Sequence, residues 1–107
     1  MEYIVNMNDI EFNKWIAFVE KIFGIKQGNL VSRKRNRELV QVRHVCYYLL
    51  KDKGLIYTKI GKLFNRDHST IIHGKELAEE VILPNKEINI NKVNMVDEHL
   101  KYLIGRW

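Results

Sequence analysis

The chain has 107 residues, 46% hydrophobic and 29% charged, with a net charge of +5 and one cysteine, Cys46. Such a composition fits one soluble domain over residues 1–107, and no apolar run approaches the roughly 18 residues that a membrane span requires. Cys46 has no partner for an internal disulfide, and the start (Met1 to Asn6) lacks the basic and apolar segments of a signal peptide, so a cytoplasmic protein is expected.

Residues 26–66 hold 11 Lys/Arg against only Glu38 and Asp52, a net +9, and the rest of the chain sums to −4. A basic middle between mildly acidic ends predicts one positive face for a polyanion. Nucleic acid leads among the candidates, although an acidic membrane or protein satisfies the same charge balance.

In chain order, Phe12, Ile16, Val19 and Phe23 recur at helical spacing, with Trp15 and Ile22 widening the stripe, and Gly24 follows as a helix end. A first helix is predicted over about 9–23. Residues 25–34 read as a connection with Gly28-Asn29 as turn chemistry. A second helix over about 36–53 carries Leu39, Val42, Cys46, Leu49 and Leu50 on one side and stops at Gly54. A short helix from Thr58 to Phe64 turns Ile60, Leu63 and Phe64 inward. After a break at Asn65-Arg66, a fourth helix runs from about Asp67 to Ile82, carrying Ile71, Ile72, Leu77, Ala78 and Val81, and Pro84 prevents its continuation. The last helix, about Asn91 to Ile104, places Val93, Val96, Leu100 and Leu103 at regular spacing ahead of Gly105. No segment sustains the alternation of a strand. The predicted fold class is all-α, five helices and no sheet.

The short helix, tight break and longer helix at about 58–82 have the dimensions of a helix-turn-helix, which sets the first residues of its second helix in the DNA major groove. Here these are Arg66, Asp67, His68, Ser69 and Thr70. Asp67 can accept from a cytosine amino group, His68 can bond a purine N7 or pack on a thymine methyl, and the two hydroxyls are adaptable. Spacing alone leaves an equal alternative, in which Asp67 is simply a helix cap and Ser69 and Thr70 are ordinary first-turn residues. Upstream, Ser32-Arg33-Lys34-Arg35-Asn36-Arg37 forms a basic loop at about 32–37. An isolated charged run is usually a solvated surface. Five cations between 33 and 43, counting Arg43, face one Glu38, and that crowding favours an anionic partner.

Four segments together resemble the C-terminal DNA-binding domain (domain IV) of DnaA, the bacterial replication initiator. They are Leu30-Val31-Ser32-Arg33-Lys34-Arg35-Asn36-Arg37, Val42-Arg43-His44, Ile60-Gly61-Lys62-Leu63-Phe64 and Arg66-Asp67-His68-Ser69-Thr70-Ile71-Ile72-His73. Their order and spacing hold over about residues 8–104. The resemblance implies a fold similar to the Trp repressor group and binding to DnaA-box-like sites in double-stranded DNA. It implies Arg35 in the minor groove and Asp67, His68, Ser69 and Thr70 at base edges. It also implies Lys34, Arg37, Arg43, Thr58, Lys59 and Arg66 on the phosphate backbone. The chain departs from the family in three ways. Asn65 alone stands where one or two glycines are usual before the arginine. Gly74 stands where alanine is common, at an expected cost of about 0.5–1 kcal/mol in helix stability. No G-x-x-x-x-G-K-[ST] loop is present, so no ATPase module is expected, and Met1 with a full first helix suggests a free-standing small protein.

Other classes are weaker. His44, His68, His73, Cys46, Asp67 and Ser69 contain no C-x-x-C or H-E-x-x-H pattern, and His68 and His73 are five apart, so neither a zinc site nor catalysis is expected. No cofactor is expected. Trp15, Tyr47, Tyr48, Tyr57 and Tyr102 read mostly as core or core edge, with Trp107 as the odd residue that could contact a protein. RNA is disfavoured because no aromatic platform adjoins the basic loop. The expected activity is sequence-specific DNA binding in replication initiation or its regulation, as one monomer per site, with replication proteins as further partners. The alternative is a transcriptional repressor or a competitor of a host initiator.

Overall fold

Asn8 and Glu11 start the first helix. The Asn8 side chain accepts from the Glu11 amide at 2.8 Å while the Glu11 carboxylate accepts from the Asn8 amide at 3.0 Å, which satisfies two backbone donors at once. In the computed structural model, which describes residues 6–105, this helix is α1 (Asp9–Phe23). It is followed by α2 (Arg37–Asp52), α3 (Tyr57–Phe64), α4 (His68–Leu77) and α5 (Ile90–Ile104). All regular structure among the described residues is helical, in agreement with the predicted class. The suggested contact at Trp107 lies outside the described residues.

The stripe of α1 buries Phe12, Trp15, Ile16, Val19 and Phe23, whereas Ile22 stays half-buried at its edge. Gly24 ends α1 in the left-handed conformation, as its position predicts. The Trp15 indole donates to the Val96 carbonyl at 2.8 Å, so α1 is fastened to α5 by a satisfied polar contact inside apolar packing. Helix α2 is capped by Asn36 and buries Leu39, Val42, Val45, Cys46, Tyr47, Leu49 and Leu50, which makes it the central helix. The Phe64 ring, the hinge of the core, meets Phe12 and Tyr47 edge-on at 5.0 and 4.9 Å. Lys53, at the C-terminal end of α2, is 3% exposed and its ammonium is held by Asp52 and by Asp97 of α5.

The fourth helix differs from expectation in its second half. It is α-helical only to Leu77, and Ala78–Ile82 form a wider π-helical turn, with the Leu83 amide reaching back to the Ala78 carbonyl. Ile71, Gly74, Ala78 and Ile82 run along its inner face. Val81 lies off that face and is 37% exposed. Tyr102, expected at the core edge, is 79% exposed, with its ring stacked 6.3 Å from that of His99.

Candidate nucleic-acid interface

Helix α3 ends at Asn65, whose φ of 55° is left-handed. Asparagine tolerates this conformation better than most residues, so the single Asn65 supports the turn where the pattern has glycine. The turn also needs Gly61. The Arg66 amide donates to the Gly61 carbonyl at 2.8 Å, and a Cβ on Gly61 would stand 2.6 Å from the Arg66 carbonyl oxygen. A backbone this close admits only glycine, and the closeness brings α4 back across α3 after three intervening residues.

Asp67 occupies the N-cap position of α4, but its side chain makes no capping hydrogen bond. The first turn is closed instead by the Asp67 carbonyl, which accepts from Thr70 and Ile71. The cap alternative therefore leaves the carboxylate unused, and it points to the same exposed tip as His68, Ser69 and Thr70. Ile71 is fully buried directly behind them and anchors the tip on the core. Four polar groups thus stand together at a helix N-terminus, where unpaired backbone N–H groups add a favourable field for anions.

The basic loop is built as a second wall beside this tip. Ser32 folds it by donating to the Asn29 carbonyl from both its amide (3.1 Å) and its hydroxyl (2.7 Å), and the hydroxyl accepts from the Lys34 amide. Arg33, Lys34, Arg35 and Arg37 are all exposed. Arg43 lies beneath the loop and corrects its predicted role. It is 5% exposed. Its Nε donates to Leu30 at 2.6 Å, Nη1 to Lys34 at 2.5 Å, and Nη2 to Asn29 and Ser32 at 3.0 and 2.9 Å, all backbone carbonyls. Four of its five N–H donors are consumed inside the protein, so it acts as a clamp on the loop rather than a free cation for phosphate. Burial, and then the neighbouring Arg66 and Arg35 charges, press its pKa down against the pull of Tyr47.

Arg66 joins the two walls. Its Nη2 donates to the Ser32 carbonyl at 2.7 Å, the oxygen that also accepts from Arg43. An open cleft of about 600 Å³ runs past Thr58, Lys62, Asp67 and His68, and a second of about 380 Å³ runs past Arg35 and His44. Both are bordered by Arg33, Arg66 and Thr70, so they form one trough between loop and helix. Among the predicted residues, Arg35, Arg43, Thr58, Arg66, Asp67, His68 and Thr70 line it. Lys34 and Ser69 are exposed beside it, Lys59 is half-buried, and Arg37 stands off with its guanidinium 3.8 Å from Glu87. Arg33, His44 and Lys62, which the sequence assigns no individual contact, line the trough as well. Lys62 had a signal, four residues after Thr58 and so on the same face of α3. The pKa of His44 is lowered by burial first, then by His73 and Arg43, so its imidazole is neutral at pH 7. No three His, Cys, Asp or Glu side chains meet to hold a metal ion among the described residues.

The family described as bacterial dnaA protein helix-turn-helix matches residues 13–76, more than half the chain and every residue of the trough. The chain belongs to that family. It is similar to the chromosomal replication initiator protein DnaA 1 of Chlamydia pneumoniae, 38% identical over 73 residues that cover 67% of this chain and 16% of the relative. The DnaA protein of Oleidesulfovibrio alaskensis is 40% identical over 83 residues, 72% of this chain and 18% of its own length. That of Mycoplasma pneumoniae is 41% identical over 61 residues, 56% of the chain and 14% of its own. The chain therefore spans less than a fifth of the curated relatives it matches. No solved structure matches it. Both the π-helical turn and α5 lie beyond the stretch matched by the family.

Proposed function

We propose that this protein binds double-stranded DNA at DnaA-box-like sites, in replication initiation or its regulation. The observation that carries the reading is the Arg66–Ser32 hydrogen bond, which sets a loop of exposed cations beside an exposed, uncapped helix tip. A helix tip of this chemistry fits the major groove, and an arginine on the flanking loop reaches the adjoining minor groove. Asp67, His68, Ser69 and Thr70 then read base edges, with Arg35 as the minor-groove reader. Lys34, Arg37, Thr58, Lys59 and Arg66 hold phosphates, and Arg33 and Lys62 join them from the trough walls. Nothing in this assignment requires a cofactor or a second protomer, so one monomer per site is expected. Replication itself enters through the relatives, each a chromosomal replication initiator protein of which this chain matches a small part.

The test is fluorescence anisotropy on a labelled duplex carrying a DnaA box, beside a scrambled duplex, at two salt concentrations. A preference of about a hundredfold or more that persists at the higher salt is expected, within the range of specific readers. Asp67→Ala and His68→Ala should relax preference at particular base pairs at a cost of about 1–3 kcal/mol each. Lys34→Ala should weaken every sequence alike and flatten the salt dependence by about one unit of slope. Equal binding to both duplexes that collapses with salt would leave only a basic helical module.

A further inference from the structure

Glu20 is a carboxylate buried on a stripe of hydrophobic residues, 3% exposed, on the inner side of α1 between Val19 and the helix end. No cation lies within ion-pair reach of it in the salt bridges formed among the described residues. Its Oε2 accepts from two backbone amides instead, Gly28 at 2.9 Å and Leu30 at 3.1 Å. Burying a carboxylate is costly unless hydrogen bonds offset it, so its presence implies that those two amides are worth holding. Gly28 sits at φ 88°, and its amide turns inward to meet the carboxylate.

The held segment leads directly into the trough. The Leu30 carbonyl, on the residue whose amide Glu20 takes, accepts from Arg43 Nε. Arg43 also holds the carbonyls of Asn29, Ser32 and Lys34, and Ser32 accepts from Arg66 at the foot of α4. An anion at one end and a cation at the other thus grip the 28–34 segment by its N–H and C=O groups respectively. A loop gripped at its backbone leaves its side chains free to face outward. We propose that Glu20 is a positioning residue for DNA recognition: with Arg43 it preorganises the basic loop so that Arg35 enters the groove in register with α4. This rests on the DNA-binding reading above. The physical gain is that the ordering of the loop is completed on folding rather than on binding.

A double-mutant cycle in the full chain tests the proposal. Glu20→Ala should weaken binding to the box duplex by about fivefold to 150-fold, the worth of one groove contact. In an Arg35→Ala background the same substitution should cost less than a third of that, because the contact it positions is already gone. Hydrogen exchange at the Gly28 and Leu30 amides should quicken in both. If Glu20→Ala does not fold, Glu20→Asp carries the cycle, since it keeps the charge but draws the oxygen back by one methylene. Equal losses in the two backgrounds, for a wild type that does prefer the box, overturn the proposal. A wild type with no such preference is failure of the DNA-box reading itself, and the two failures are distinguished by that single comparison.

Discussion

Gly74 offers a quantitative test of how α4 is seated. From helix propensity alone, Gly74→Ala should stabilise the protein by about 0.5–1 kcal/mol. The structure opposes this. A Cβ at Gly74 would meet His44 Cδ2 at 2.6 Å and Tyr47 Cδ2 and Cε2 at 2.7 and 3.0 Å. The Tyr47 ring cannot swing aside, since it is 2% exposed and packed edge-on against Phe64. Overpacking of this kind costs about 1–3 kcal/mol. The net expectation is a loss of about 1–2 kcal/mol, which at a urea slope near 1 kcal/mol per molar moves the midpoint down by about 1 M or more. Urea unfolding followed by circular dichroism measures it. The double variant Gly74→Ala/Tyr47→Leu should show a smaller penalty for the alanine than the single variant, because the smaller side chain leaves room. A midpoint unchanged or raised by Gly74→Ala, or a penalty identical in both backgrounds, would show that the glycine is not there for the rings.

Two further outcomes follow from the buried polar groups. Arg43→Lys preserves the charge but not the planar fork, so a clamp and a phosphate ligand behave differently. The clamp predicts that Lys rescues little of the damage done by Ala, with both variants losing about 1–3 kcal/mol of stability and loosening the basic loop, measured by urea unfolding and hydrogen exchange at residues 29–34. Near-complete rescue by Lys would return Arg43 to the phosphate contacts. For His44, burial lowers the folded-state pKa below the ordinary 6.5. The unfolded chain then binds more protons in the window below 6.5, so stability is full above that pH and falls as acid is added. The Tm of the wild type should drop between pH 7.5 and pH 5.5 by more than that of His44→Gln, and parallel curves would remove His44 as the cause.

Much of the fold is legible locally. The stripe Phe12, Trp15, Ile16, Val19, Phe23 and the stop at Gly24 define α1, because burial follows helical period and only a residue at ease with positive φ ends the helix in this way. The same reasoning places α2, α3 and α5 within a residue or two, and Asn65 sustains the turn for a reason visible in its side chain. The candidate site is also legible as a residue set, since the Arg66–Thr70 run and the basic loop stand out by charge and composition.

What these residues do with their hydrogen bonds is a different matter, decided by partners far along the chain. In the sequence Arg43 is one more cation for phosphate; in the structure the 29–34 segment folds over α2 and takes its guanidinium. The sequence leaves Asp67 equally a cap or a reader, and in the structure its carboxylate makes no capping hydrogen bond. By helix propensity Gly74 is a weakness, and the tertiary structure makes it the space that Tyr47 and His44 occupy. Glu20 read as nothing at all. Most helices and turns arise from interactions within a few residues, so periodicity and side-chain type determine them, the π-helical turn at Ala78–Ile82 excepted. Which buried donor meets which acceptor depends on how the helices pack, and only the tertiary structure decides that.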